Sequence, residues 1–378
     1  MIPITRPLLG EAEVEAARDV LLSGWLAQGP EVEAFEREFA AFVGAPHACA
    51  VANCTVALGL ALQALGVGPG DEVVTVSLSF IAGANCVRVR GAEPIFVDVI
   101  ADTYNLDPSD LEQAITPRTK AILCAHQIGM PCDLDRILAI ARAHGLPVIE
   151  DAACAAGSEI LVNGAWQPIG RPQADIACFS FHPTKVLTTG EGGMLTTASP
   201  DYDLMFRRWR QHGMDVASNA RHNAKSVIFE RYVVEGSNHR MTDIQGAIGR
   251  RQLTRLAQIV QRRRELATRY RQLLAGNSGL GLPHEPSWAR SNWQRFCVSL
   301  PDHVDQREAM QKLRDRGIGS SRGVMCAHRE APYAASVHRP LPRSEAAQSR
   351  CLLIPLYPQM SDEEQDRVAA ALHDVCRE

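Results

Sequence analysis

Apolar residues along this chain follow two rhythms. In some stretches they recur at helical spacing on one face; in others they form short unbroken runs between turn signals, as in strands buried on both sides. The first rhythm predicts a helix over Glu11–Ser23, ended by Gly24, and another over Pro30–Val43, with a proline in its first turn and Gly44 after its end. The second helix places Phe35, Phe39, Phe42 and Val43 on one face. The second rhythm predicts strands at Ala48–Ala52, Val73–Val76, Pro94–Val99, Ala121–Ala125, Pro147–Glu150, Ile176–Ser180 and Met194–Thr197. Helical stretches lie between them: through Leu58, Leu62 and Leu65 to Gly66, from beyond Phe80 to Gly91, then Pro108–Ile115, Asp133–His144 and Asp203–His212. Strand alternating with helix predicts an α/β fold with a parallel central sheet covered on both faces.

Beyond this, Gly213–Gly236 is polar and irregular. The longest helix opens after it, where Thr242 and Gln245 stand at capping-box spacing, and Ile244, Ile248, Leu256, Ile259 and Val260 hold a buried face that continues to Leu274. A helix of such length commonly bridges domains. Asn277–Ser291, rich in Gly, Pro and Ser, reads as a connector. A smaller α/β unit follows, with a strand at Phe296–Leu300, a helix over Val304–Arg316, a strand at Cys351–Ile354 and a last helix capped by Ser361 with Glu364 three residues on.

Composition narrows the function classes. A chain of 378 residues has ample core for two domains. A formal net charge of −4 gives no pull toward nucleic acid or membrane, and no apolar run reaches membrane-spanning length. The opening Met1-Ile-Pro-Ile-Thr-Arg6 has no signal pattern, so a cytoplasmic location is expected. The eleven cysteines contain no Cys-x-x-Cys pair, and His47, Cys49 and Cys54 are too loosely spaced for a zinc site; free buried thiols are expected, and no metal.

Chemistry is expected at the carboxyl ends of parallel strands, where such sheets gather ligands. Those ends carry Asn53–Val56, Ser77–Phe80, His126 and Glu150-Asp151. Asp151 at a strand exit is either a cap or a functional acid. Asn53 and Thr55 either cap a helix or mark a helix N-terminus that offers N–H groups to a phosphate. The chain has only four lysines, Lys120, Lys185, Lys225 and Lys312, among 39 basic residues. Lysine, unlike arginine, can lose its proton and attack a carbonyl. Lys185 lies between Phe179–Phe181 and a turn containing Gly190, Gly192 and Gly193; spacing alone leaves it open between a loop lysine paired with Glu191 and a nucleophile.

Several segments in order then carry a resemblance: Ser23-Gly24-Trp25-Leu26, Gly29-Pro30, Val73–Phe80, Gly91-Ala92-Glu93-Pro94, Ile149–Ala153, Phe179–Gly193, Asn238–Asp243 and Pro355-Leu356-Tyr357-Pro358. From Pro3 to Val375 the chain closely resembles the DegT/DnrJ/StrS sugar aminotransferases, fold type I enzymes that use pyridoxal 5'-phosphate. The resemblance implies a large cofactor-binding domain over residues 1–250 and a small C-terminal domain over 251–378, bridged by the helix at about 242–275. It implies Lys185 as the Schiff-base lysine and Asp151 as the carboxylate facing the pyridine nitrogen. Phe80 would stack on the ring, Thr55, Val56 and Ser180 would meet the phosphate, and Asn238 would reach the phosphate of a neighbouring subunit, which implies a homodimer with shared sites. Cys154 stands where the family commonly has Gln or His, and would replace a polar contact to the cofactor's phenolic oxygen or the substrate; Cys54 stands where Gly is common. His182 is read as support for its neighbours. His328 and Arg240 are candidate substrate contacts.

The implied activity is transfer of an amino group from glutamate or glutamine to a keto-sugar, a nucleotide-linked 4- or 3-keto-deoxysugar, by ping-pong chemistry through pyridoxamine 5'-phosphate. Two alternatives carry weight. Pyridoxamine-dependent sugar dehydratases share the fold but have His in place of the lysine, which Lys185 argues against. A non-enzymatic cofactor-binding regulator would not need the lysine and acid together.

Overall fold

The computed structural model describes residues 1–216, 221, 224–276, 279–336 and 339–377. Among them the strands are, in chain order, β1 (His47–Val51), β2 (Glu72–Val76), β3 (Glu93–Val97), β4 (Thr119–Ala125), β5 (Val148–Asp151), β6 (Glu159–Val162), β7 (Ala165–Pro168), β8 (Ile176–Ser180), β9 (Gly193–Thr197), β10 (Ala289–Arg290), β11 (Phe296–Ser299), β12 (Ser321–Arg322) and β13 (Cys351–Ile354). Seven of them form one sheet in the order β1-β9-β8-β5-β4-β2-β3. Its pairs from β8 to β3 are parallel, and β9 runs antiparallel to both β8 and β1.

The continuous apolar runs are explained by burial on both faces. Alternate residues of a strand point to opposite sides. Ala177 and Phe179 enter one core with Val74, Ile122 and Met194, while Ile176 and Cys178 enter another with Val73, Leu123 and Leu195. On the first side lies the helix Pro30–Val43, whose Phe39 ring sits 5.0 Å from Phe179 and whose Phe35 ring sits 5.3 Å from Phe181. On the second lies the helix Cys54–Ala64, contributing Leu58, Leu60 and Leu62.

The helix Asp243–Leu273 is 31 residues long and carries the expected box: Gln245 N donates to Thr242 Oγ1 at 3.3 Å, and Thr242 N to Gln245 Oε1 at 2.9 Å. Its Leu256, Ile259 and Val260 enter the core of the large sheet; its Leu266, Ala267 and Tyr270 enter a second core over the small antiparallel sheet β11-β13-β12. Between the two groups, buried Arg263 donates through Nη1 to the carbonyls of Trp293, Gln294 and Leu356. The last helix, Asp362–Arg377, is capped by Ser361 and Glu364 as expected.

The structure corrects three sequence readings. The expected helix Asp203–His212 is Pro200–Trp209, because Ser199 accepts the N–H of Tyr202 and Pro200 occupies the first turn. A hairpin, β6–β7, stands where no strand was read, and the helix Pro342–Arg350 was not read at all. The irregular stretch Gly213–Gly236 includes residues 217–220, 222 and 223, which lie outside the described residues, as do 277 and 278 of the connector.

Candidate active site

The carboxyl ends of β1, β2, β4, β5 and β8 open on one cavity of about 980 Å³. Lys185, Asp151, Thr55, Val56, Phe80, Ser180 and Cys154 all line it, so the structure brings together seven of the ten residues expected at the site.

Lys185 rides on the loop between β8 and β9. Both ends of that loop are pinned: Phe181 N donates to Gly192 O at 2.9 Å, and Thr189 N to Phe181 O at 3.0 Å. Gln294, from the segment before β11, donates through Nε2 to Thr184 O at 2.7 Å. The paired glycines at the loop's exit answer to close approaches. A Cβ on Gly193 would sit 2.5 Å from the backbone of Asn53, and one on Gly192 would sit 2.4 Å from Thr189 Oγ1. The lysine loop thus lies directly against the turn that leads from β1 into the helix Cys54–Ala64.

The amine of Lys185 does not pair with Glu191; Nζ donates to Cys154 Sγ at 3.2 Å. Burial works to lower its pKa, but the Cys154 sulfur, with Asp151 and Cys54 behind it, holds it above the ordinary value. Burial lifts the Asp151 carboxyl above its ordinary value, against the pull of the Ala153 N–H and of Lys185. Burial thus makes the ionised form of Asp151 costly. Behind it, His126 is locked by two bonds: its Nδ1 accepts the N–H of Cys132 at 2.9 Å, which leaves the Nε2 proton for Glu150, also at 2.9 Å. The N–H of His126 donates to the Asp151 carbonyl at 3.0 Å, extending the β4–β5 ladder under the acid.

At the other end of the cavity, Asn53 caps the helix Cys54–Ala64 by accepting the Val56 N–H at 2.9 Å. The Asn53 side chain thus caps the helix and takes the Val56 N–H, while the helix N-terminus, with exposed Thr55, lines the cavity. Ser180 ends β8 beside it. Phe80 is 70% exposed, an unusual state for an aromatic residue and one that leaves a ring face open to the cavity. Of the eleven free cysteines ten are buried; Cys154 is the half-buried exception.

Three expected residues lie elsewhere. Asn238 is exposed and bridges to Gln211, while its neighbour His239 accepts the N–H of Ala52 at the exit of β1. Arg240, half-buried, is not among the cavity residues. His328 is buried and not among the cavity residues, its Nδ1 2.6 Å from Ser77 Oγ and its Nε2 3.3 Å from Glu345, so that it braces the strand exit of β2. Conversely, Gln127, Gln294, Arg295 and Arg322 line the cavity without having been assigned from sequence. The last three come from the small-sheet region, where no local pattern marks a residue as facing a distant strand end.

With this geometry in place, comparison with known proteins is informative. The model of the DegT/DnrJ/EryC1/StrS aminotransferase family matches residues 7–373. The spore coat polysaccharide biosynthesis protein SpsC of Bacillus subtilis (strain 168) is 39% identical over 383 residues, spanning 100% of this chain and 97% of that protein. The structure of the aminotransferase TlmJ from Streptoalloteichus hindustanus superposes with a TM-score of 0.91 at 34% identity, covering 99% of this chain and 98% of TlmJ. Spr1654 from Streptococcus pneumoniae, solved in a PMP form, has a TM-score of 0.91 at 29% identity over 100% of this chain and 99% of its own; its PLP form gives 0.90. Among the described residues no helix is long and apolar enough to cross a membrane.

Proposed function

The chain belongs to the DegT/DnrJ/EryC1/StrS aminotransferase family, and from that premise we propose that it moves an amino group from glutamate or glutamine to a nucleotide-linked 4- or 3-keto-deoxysugar. In the net exchange the donor gives up its amino group and the hydrogen on its α-carbon, and takes the ketone oxygen of the sugar; no outside oxidant or reductant is needed. The cofactor is pyridoxal 5'-phosphate, which when bound supplies an aldehyde to carry the nitrogen and a ring that accepts the electron pair of the broken C–H bond.

The residues present fit that group. Asp151, whose burial makes its charge costly alone, suits a protonated ring nitrogen. The open face of Phe80 suits a flat ring, and the helix N-terminus at Thr55 and Val56, with the Ser180 hydroxyl, suits a phosphate. We assign Lys185 the covalent hold on the cofactor and, once released, the proton shuttle at the donor α-carbon. Asp151 keeps the ring nitrogen protonated, its backbone held by the His126 N–H and its carboxylate by the Ala153 N–H. Cys154 orients the lysine amine. We further infer that two copies of the chain assemble, with exposed Asn238 reaching the phosphate site of its partner.

The observation that carries this reading is the Lys185 amine, 3.2 Å from Cys154, in the same cavity as buried Asp151 at the exit of β5. The purified protein should show the visible absorbance of a lysine-bound cofactor and release 2-oxoglutarate from glutamate when given a nucleotide keto-sugar. Lys185→Ala should lose both; transamination that survives this substitution would sink the assignment. Deoxysugar released without nitrogen transfer would favour a dehydratase instead.

A further inference from the structure

Arg295 precedes β11 and belongs to a segment bolted across the site from both sides. Asn292 donates through Nδ2 to the carbonyls of Cys154 and Ala156 at 2.8 and 2.9 Å, and Gln294 reaches the lysine loop at Thr184. Between these anchors the Arg295 guanidinium lines the cavity. Its Nη1 is buried and meets no hydrogen-bond acceptor among the described residues. Burial pushes its pKa below the ordinary value, and the one group that works the other way is Cys154. Among the described residues no carboxylate forms an ion pair with it. Asp102 shares a minor recess with it but forms no ion pair, and Arg263, a second buried guanidinium, adds like charge behind it. Arg322, also on the cavity wall, is exposed and has Glu330 at 3.8 Å.

A half-buried cation left unpaired costs free energy unless an anion completes it. Building on the transaminase reading above, we propose that Arg295 receives the α-carboxylate of the amino donor, the group that glutamate and glutamine share. Distance along the substrate decides between the anions on offer. Arg295 shares the cavity wall with Cys154 and Lys185, and the residues that flank it bond to Cys154 and to Thr184, next to that lysine. An anion held at Arg295 therefore lies close to the point where nitrogen is exchanged. In an α-amino acid the carboxylate sits on the very carbon that bears the amine. In a nucleotide keto-sugar the diphosphate hangs from the anomeric carbon, several bonds from the ketone. A planar guanidinium also matches a carboxylate through two parallel hydrogen bonds. Arg295 is thus a donor-recognition residue, contributed by the small-sheet side of the cavity.

The test separates the two half-reactions of the holoenzyme. Glutamate is titrated against the aldehyde form of the cofactor, read by its absorbance, and the keto-sugar accepted by the wild type is titrated against the amine form. For Arg295→Gln the half-saturating glutamate concentration should rise roughly 10- to 100-fold, the worth of a charge-assisted hydrogen bond. Arg295→Lys should recover part of the loss. The keto-sugar constant should stay within about twofold. Thermal stability supplies a readout that a structural role would move the other way: removing an unpaired buried charge should leave the melting temperature of Arg295→Gln equal to the wild type or higher. An unchanged glutamate constant with a raised keto-sugar constant would overturn the proposal and give Arg295 to the diphosphate. Unchanged constants in both arms, or a lowered melting temperature without a donor effect, would overturn it as well. A wild type that takes nitrogen from neither glutamate nor glutamine would instead refute the transaminase reading itself.

Discussion

At the scale of single residues, the site rests on one carboxylate that is costly without its ligand. Asp151 has a folded-state pKa above its ordinary 3.8. The folded protein therefore holds that proton more tightly than the unfolded chain does. The stability this group contributes is present below pH about 4 and lost as pH rises through its folded value. In cofactor-free protein at neutral pH the ionised Asp151 is a net cost. Asp151→Asn should raise the melting temperature of the cofactor-free protein by roughly 2 °C, as expected for a gain of about 1 kcal/mol, while cutting transamination roughly 10²- to 10³-fold. Calorimetry and the coupled assay on one preparation check both, and a fall in melting temperature would count against the account. Position and spacing leave Lys185 and Asp151 open between structural and functional readings; the family resemblance singles them out, and both line the cavity. Arg295 could not be read from sequence, since nothing in Asn292-Trp293-Gln294-Arg295 announces which strand ends it faces.

At the scale of elements, the contact between the lysine loop and the β1–helix turn carries most weight. Gly193 cannot gain a methyl group without displacing the Asn53 backbone, and that backbone sets the direction of the helix N-terminus. Gly193→Ala should cost about 1–3 kcal/mol of stability by overpacking and loosen the cofactor at its phosphate end. Release of cofactor on dilution, followed by absorbance, would show it; unaltered retention would contradict the role given to this turn. The sequence misread elements where one local signal was passed over. Asn163-Gly164 joins β6 to β7 with φ of 49° and 79°, the left-handed pair that a tight hairpin turn needs. Apolar runs predicted the helix-covered sheet correctly, but a strand buried on both faces reads alike in either direction, so β9's reversal was invisible.

At the scale of the whole molecule, the proposed assembly can be tested by mixing defective copies. Lys185→Ala and Asn238→Asp chains should each be inactive or nearly so. If sites are shared, random re-pairing makes half the dimers mixed, each with one intact site, and about a quarter of wild-type activity should return. No recovery after subunit exchange would exclude a contribution of Asn238 to its partner's site. The lone antiparallel strand has a further consequence, for the order in which the molecule comes together. Among the described residues β1 is joined to the sheet only through β9, which the chain reaches long after β1 itself. The turn after β1, with the helix N-terminus, is therefore in place only when this distant pairing closes, whereas β8 and β9 flank the lysine loop as near neighbours in sequence. Contacts between remote segments are slow to form. Pulsed hydrogen exchange during refolding should find the amides of Ala48–Val51 protected after those of Ile176–Ser180. A chain emerging from the ribosome must carry β1 unpaired through the synthesis of the rest of its sheet, and ligand binding becomes competent only at the end of that interval.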